Sequence, residues 1–200
     1  REFKLCGFDA LIIDGKAEKP VYLWINDGHA ELRSAAHLWG LEVPETTDRL
    51  LSETDPKARV ACIGPAGEKG VLFACIMNDK DRAAGRGGVG TVMGSKNLKA
   101  VVVRGSTKVR VADRERFDQI QARVRGIFKK AAKANPSPLS LHGTLGVMVP
   151  LTQKHGVLPT RNYQGGTFDG WQAISGQTLT EKYLEKTSAC WACPIACGRV

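Results

Sequence analysis

The sequence predicts an α+β fold, sheet-rich over residues 1–109 and followed, over residues 110–200, by the start of a mainly helical domain. Two observations carry that prediction. Short apolar runs rich in Val, Ile and aromatic residues recur through the first hundred positions, separated by Gly, Pro and Asp turns. Beyond Asp113 the apolar residues instead recur every three to four positions, the spacing of one helix face.

The elements follow in order. FDALIIDG (8–15) and PVYLWIND (20–27) read as strands, the second turning at Asn26-Asp27-Gly28 into HAELRSA. PETTDRLLSET (44–54) reads as a short helix, with Pro44 near its start and Thr46 or Thr47 as its cap. ARVACIG (58–64) and VLFACIMN (71–78) are two further strands joined by a turn in PAGEKG, and AVVVRG (100–105) is another. Asp113 caps an amphipathic helix whose apolar face is Phe117, Ile120, Val124, Ile127 and Phe128, and NPSP (135–138) ends it. Glycine-rich loops and a helix near 178–186 then lead to the terminal cysteines. The boundary between the two parts is expected at 105–112.

Bulk composition narrows the class. Of the 200 residues 42% are hydrophobic and 24% charged, ordinary for a soluble globular protein. No apolar run approaches the ~20 residues of a membrane helix, and REFKLCGFDALIIDG does not resemble a signal peptide. The chain lacks an initiator methionine and is expected to be a segment of something longer. Six cysteines are too few for a disulfide scaffold: Cys6, Cys62 and Cys75 are scattered and read as small core residues, whereas the other three are clustered. That usage favours a reducing compartment with buried free thiols and one metal or cluster site. Charge is uneven. Residues 1–80 hold 10 Lys and Arg against 13 Asp and Glu, but residues 81–200 hold 19 against 7. The basic second part suits an anionic partner such as nucleic acid, a membrane surface or a phosphorylated cofactor.

Two stretches carry chemistry. In DRAAGRGGVGTVMGSKNLKAVVVRG (81–105), Gly85, Gly87 and Gly90 match G-x-G-x-x-G after a strand. A dinucleotide fold needs a crossover of about a dozen residues or more. Only Thr91–Lys99 is available before the next strand, and Arg110 stands where a ribose-binding acid would be. The spaced glycine and following Ser or Thr of a P-loop are missing around Gly94-Ser95-Lys96 as well. What remains is a loop whose glycines admit an anion to the backbone, beside two arginines with fork-shaped donors, Arg82 and Arg86. The alternative is a tight strand-to-helix turn with two exposed arginines.

TSACWACPIACGRV (187–200) places Cys190, Cys193 and Cys197 at C-x2-C-x3-C. Three ligands within eight residues suit one corner of an iron–sulfur cube better than the paired knuckles of zinc sites. Zinc and unliganded thiols stay as alternatives, and a fourth ligand would lie elsewhere. His142 and His155 read as ordinary loop residues rather than ligands.

Taken together, RAAGRGGVGTVMGSKNLKAVVVRG (82–105) and CWACPIAC (190–197) resemble the tungsten-containing aldehyde ferredoxin oxidoreductases, and CGFDALIIDGKAEKPVYLWINDG (6–28) is similar to that family's N-terminal domain. The resemblance implies that residues 1–109 are part of a tungstopterin-binding domain and that residues 110–200 begin a helical domain carrying the iron–sulfur cysteines. It implies a tungsten (or molybdenum) bis-pterin, a Mg2+ bridging the pterin phosphates, and a [4Fe-4S] cluster. Arg82, Ala83, Gly85 and Arg86 would then line the pterin phosphate site, with the Ala83 backbone facing the magnesium. Cys190, Cys193 and Cys197 would be three of four cluster ligands. The fourth cysteine and the groups nearest the tungsten fall outside these residues, so the segment alone is expected to be inactive.

The implied reaction is oxidation of an aldehyde to a carboxylic acid, with electrons passing through the cluster to ferredoxin or a partner subunit. The implied protein is a cytoplasmic oligomer with no nucleic-acid partner and no membrane span. A relative that reduces an aromatic thioester is the alternative within the family. A zinc-stabilised, basic nucleic-acid-binding module is the alternative outside it.

Overall fold

The computed structural model describes residues Arg1–Val200. They divide into two compact units, Arg1–Arg110 and Val111–Val200.

The first unit is built on one mixed sheet. It begins with a helical turn α1 (Glu2–Leu5) and the hairpin β1 (Val21–Asn26) and β2 (His29–Ser34). Helix α2 (Val43–Glu53), strand β3 (Arg59–Cys62) and the short helix α3 (Pro65–Glu68) follow. Strands β4 (Ile76–Asn78) and β5 (Arg82–Ala84), helix α4 (Val89–Ser95) and strand β6 (Leu98–Arg104) complete it. The strand order is β2-β1-β6-β3-β4-β5. Strands β1 and β6 lie side by side and parallel; the remaining pairs are antiparallel.

Burial on both faces explains why β1 reads as a continuous apolar run rather than an alternating one. Tyr22 and Trp24 enter a core with Leu38, Leu50, Val60 and Val102, whereas Leu23 and Ile25 enter a second core with Cys6, Ile63, Met93 and Val103. The β1–β2 turn holds Asp27 and Gly28 at φ 43° and 86°, the left-handed pair that a two-residue hairpin needs to match strand twist. Asp27 also accepts from the Ser106 N–H at 2.6 Å and from the Ser106 hydroxyl at 2.7 Å, which fastens the hairpin to the end of β6.

Four expectations for this unit need correction. Residues 8–15 form no strand: they find no sheet partner, and Ile12 is 92% exposed. Residues 71–75 turn rather than extend, so only Ile76–Asn78 of VLFACIMN is strand, and Leu72 and Phe73 stand exposed. PAGEKG is no simple turn but contains α3, initiated by a proline whose fixed φ suits a first helical position. Thr46 and Thr47 do not cap α2. Both are buried inside it, with Thr47 donating to the Val43 carbonyl at 2.8 Å, and the cap residue is Glu42.

The second unit contains helix α5 (Arg114–Ala134), α6 (Pro138–Lys154), a 3-10 turn at Trp171–Ile174, α7 (Gly176–Lys182) and the two-residue strands β7 (Thr187–Ser188) and β8 (Gly198–Arg199). Asp113 caps α5 by accepting from the Arg116 N–H at 2.9 Å, and Asn135 ends it. Sequence reading missed α6, whose glycines and Pro150 mimic loop composition. Its backbone breaks at Gly143 (φ 69°, ψ −168°), so it is two helical pieces in tandem. His142 lies within α6, with Nδ1 3.2 Å from the Thr180 hydroxyl, and His155 ends it; neither is a plain loop residue. Helix α7 starts at Gly176, where a Cβ would sit 2.4 Å from the His142 carbonyl oxygen. Close helix-on-helix approach therefore requires glycine there.

Candidate functional site

The residues with chemistry fall into two groups, one in each unit. In the first unit, Arg82, Ala83 and Ala84 make the edge strand β5, and Gly85–Gly88 turn the chain into α4. Arg82 is half-buried; Ala83, Gly85 and Arg86 are exposed. All four sequence-predicted residues therefore lie on one short, accessible segment at a sheet edge.

The glycines of this segment do different jobs. At Gly90 a Cβ would collide with the backbone carbonyl of Cys75, and at Gly94 with that of Gly67. These two glycines let α4 lie directly on α3 and the 74–75 backbone, a packing role that G-x-G-x-x-G matching conceals. Around Gly85 there is nothing within 4 Å. Gly87 is equally open, so the backbone is unobstructed on both sides of Arg86.

What holds α3 under this segment is a buried ion pair that sequence reading missed. Lys99 is 0% exposed and Glu68 3%. The Lys99 ammonium donates to the Glu68 carboxylate and, at 2.9 Å, to the Leu41 carbonyl, while the other Glu68 oxygen accepts from the Gly40 N–H at 2.8 Å. A lysine can sit in the core because β6 is irregular there. Val21 and Tyr22 pair with Leu98 and Ala100, which leaves Lys99 as the extra residue of a bulge. A bulge redirects a side chain, and this one aims the ammonium toward α3. The only hint in the sequence is a lysine directly ahead of AVVVRG.

Of the scattered cysteines, Cys6 and Cys62 are core thiols, whereas Cys75 lies outside both cores. Cys6 donates to the Arg104 carbonyl at 2.9 Å, and Cys62 lies 3.8 Å from the Thr47 hydroxyl. Burial, the largest influence on each, pushes both thiols above the ordinary value. Cys75, half-buried, contacts the Met77 sulfur at 3.6 Å.

In the second unit, β7 and β8 pair antiparallel through Thr187 with Arg199 and Ser188 with Gly198. The hairpin closes a loop that contains Cys190, Cys193 and Cys197. Cys190 is exposed and the other two are half-buried. The Cys193 N–H donates to the Cys190 carbonyl at 3.0 Å, so the first two thiols flank one tight turn. Ala192 and Ala196, each immediately before a cysteine, adopt φ of 54° and 50°. Left-handed backbone at a residue with a Cβ is uncommon, and it concentrates at functional sites.

No three His, Cys, Asp or Glu side chains stand close enough together to hold a metal ion as they are. The three thiols share one closed loop rather than a finished cage. Their chemistry fits an iron–sulfur cluster nonetheless: three soft thiolate donors, accessible, on a backbone bent at two of them. Beside the loop, the buried Arg199 Nε has no hydrogen-bond partner. The unit also has a cleft of about 590 Å3 lined by Thr160, Arg161, Gln164, Phe168 and Asp169.

With this geometry in view, comparison with known proteins is informative. Residues 1–105 match the family described as aldehyde ferredoxin oxidoreductase, N-terminal domain, and residues 120–200 match aldehyde ferredoxin oxidoreductase, domains 2 and 3. The chain is 48% identical over 206 residues to the tungsten-containing aldehyde ferredoxin oxidoreductase of Pyrococcus horikoshii, covering 100% of this chain and 33% of that protein. It is 32% identical over 213 residues to the aliphatic sulfonate oxidoreductase WOR-like subunit of Pyrococcus furiosus, again covering 100% of this chain and 33% of that protein. Among solved structures it resembles the active-site complex BamBC of benzoyl coenzyme A reductase bound to 1,5-dienoyl-CoA. That likeness has a TM-score of 0.81 at 31% identity, over 99% of this chain and 32% of that one. The chain thus spans about a third of the length of the curated relatives it matches.

Proposed function

The chain belongs to the aldehyde ferredoxin oxidoreductase family, and on that premise we propose that the whole protein is a tungsten bis-pterin, iron–sulfur enzyme oxidising aldehydes to carboxylic acids. In that reaction aldehyde and water give the acid, two protons and two electrons. A [4Fe-4S] cluster, when bound, would take these electrons on to ferredoxin or a partner subunit. Residues 1–109 act as part of the pterin-binding domain and residues 110–200 as the start of the helical domain with the cysteines.

When bound, the tungsten pterin supplies two-electron oxygen transfer and the cluster supplies single-electron exit. The chain's own residues hold these groups. Arg82 and Arg86 neutralise the pterin phosphates, with fork-shaped donors suited to phosphate oxygens. The Ala83 backbone would help hold the Mg2+, and the empty space at Gly85 would let the chain approach the cofactor. Cys190, Cys193 and Cys197 supply three thiolates to the cluster.

One observation carries the choice of substrate class. The relatives at 45% identity or more are tungsten-containing aldehyde enzymes, whereas the sulfonate and benzoyl-CoA relatives match at 32% and 31%. The BamBC likeness supports aromatic thioester reduction as the second reading. Family membership across both units stands against the zinc-stabilised nucleic-acid module. No helix is long and apolar enough to cross a membrane, and we place the protein in the cytoplasm as an oligomer.

The test is metal and turnover analysis of the full-length protein, prepared without oxygen. Tungsten, iron and acid-labile sulfide together with viologen reduction by aldehydes support the reading. Zinc alone, or viologen-driven turnover of an aromatic thioester with no aldehyde activity, overturns it.

A further inference from the structure

The second unit contains a cation that its own surroundings do not neutralise. Arg199 ends β8, two residues after Cys197. One terminal guanidinium nitrogen donates to the Ala196 carbonyl at 2.7 Å and to the Gly198 carbonyl at 2.8 Å. The other donates to the Ser140 carbonyl at 2.6 Å. Each acceptor is a neutral backbone group, and Arg199 makes no ion pair. Its buried Nε finds no acceptor at all.

This arrangement depends on the break in α6. Gly143 is not helical, so the Ser140 carbonyl behaves like a helix-end carbonyl, and the guanidinium takes it up. Gly143 also fits closely against the cysteine loop. A Cβ there would stand 2.9 Å from the Cys197 carbonyl oxygen and 3.1 Å from Arg199 Cγ. Helix break, arginine and cysteine loop therefore form one packed cluster, in which the Ala196 carbonyl binds the guanidinium one residue before the last thiol.

Arg199 is half-buried, with its Nε fully shielded, and a cation partly withdrawn from water is normally paired with a counter-charge. The group that would complete this one is anionic and sits on the neighbouring thiols. We propose that Arg199 is a positioning residue for the iron–sulfur site: it ties the Cys190–Cys197 loop, through the Ala196 carbonyl, to β8 and α6, through the Gly198 and Ser140 carbonyls, and supplies the fixed positive charge that favours the reduced cluster. The inference rests on the cluster reading above. Net charge and hydrogen bonding around a cluster set its reduction potential. A cation held by backbone carbonyls acts on electron transfer without touching substrate.

The test uses full-length protein purified anaerobically, as wild type, Arg199→Lys and Arg199→Met. The measurements are iron and sulfide content and a redox titration followed by electron paramagnetic resonance. Arg199→Met, which keeps side-chain bulk but loses charge, should lower the potential. At the wild-type midpoint its reduced-to-oxidised ratio should fall about tenfold, equivalent to about 59 mV for one electron. Arg199→Lys should keep iron and stay within about threefold of the wild-type ratio.

A Met variant with wild-type iron and a wild-type potential overturns the inference. If the Met variant carries no iron, the Lys variant decides. Iron retained at near-wild-type potential supports a fixed charge, whereas iron lost, or a potential as low as charge removal would give, overturns it. Wild-type protein without iron and sulfide overturns the cluster reading itself, and this inference with it.

Discussion

Lys99 shows how much a single side chain can decide. Its ammonium and the Glu68 carboxylate are both shut away from water, so removing one partner strands the other. Lys99→Met should destabilise the protein by about 3–5 kcal/mol, and Lys99→Met with Glu68→Leu should recover part of that loss; urea unfolding midpoints of the two variants measure both effects. At the anion site the readout is chemical. Arg82→Ala and Arg86→Ala should each lower tungsten and pterin content of the full-length protein while iron stays largely in place, and equal loss of both metals would remove the assigned role. Asp27 gives a pH signature. Hydrogen bonds from the Ser106 N–H, then from its hydroxyl, hold the Asp27 carboxyl below its ordinary value. A depressed carboxylate contributes stability above its unfolded pKa and loses it as pH falls through the folded one. Asp27→Asn should therefore lower stability at neutral pH and flatten the acid limb, the two proteins converging as pH falls, as acid titration of unfolding will show. The candidate residues Arg82, Ala83, Gly85, Arg86, Cys190, Cys193 and Cys197 were legible because glycine, arginine and cysteine spacing survives in a linear string. Lys99, Glu68 and Arg199 were not, because their partners lie about thirty to sixty residues away and only folding brings them together.

Among the elements, those with local causes were read well. The 20–34 hairpin needs a turn with two left-handed residues, and α5 needs an N-cap and a face of regular spacing; all of this is written in neighbouring residues. Errors fell where pairing decides. FDALIIDG has strand composition but no neighbour to bond with, and α6 hides behind two glycines and an interior proline, Pro150, that lower intrinsic helix preference. The glycines of two helices allow a matched comparison. Gly94→Ala drives a methyl into the Gly67 backbone where α4 lies on α3, an overpacking effect of about 1–3 kcal/mol or more. Gly126→Ala, in α5 with nothing within 4 Å, should stabilise by about 1 kcal/mol. Thermal unfolding of the two variants should move in opposite directions.

At the scale of the molecule, the chain divides at Arg110 into two compact units, and both clusters of buried apolar side chains belong to the first. Residues 105–112 have no helix or strand, and Lys108 and Arg110 lie within them, exposed. Brief tryptic digestion should cut there first, and mass spectrometry should find two large products. The face of α5 is a second global feature. Phe117, Ile120, Val124, Ile127 and Phe128 all stand exposed, and no residue of that helix is buried. An apolar stripe of that length is a surface that partners or other parts of a protein cover, so the isolated 200-residue chain should bind a hydrophobic dye. Replacing Ile120 and Phe128 by Ser should cut that fluorescence by more than half. The β7–β8 hairpin has a different consequence. Its paired strands hold the two ends of the cysteine segment side by side through Thr187–Arg199 and Ser188–Gly198, so a substitution that breaks this pairing should free both ends at once.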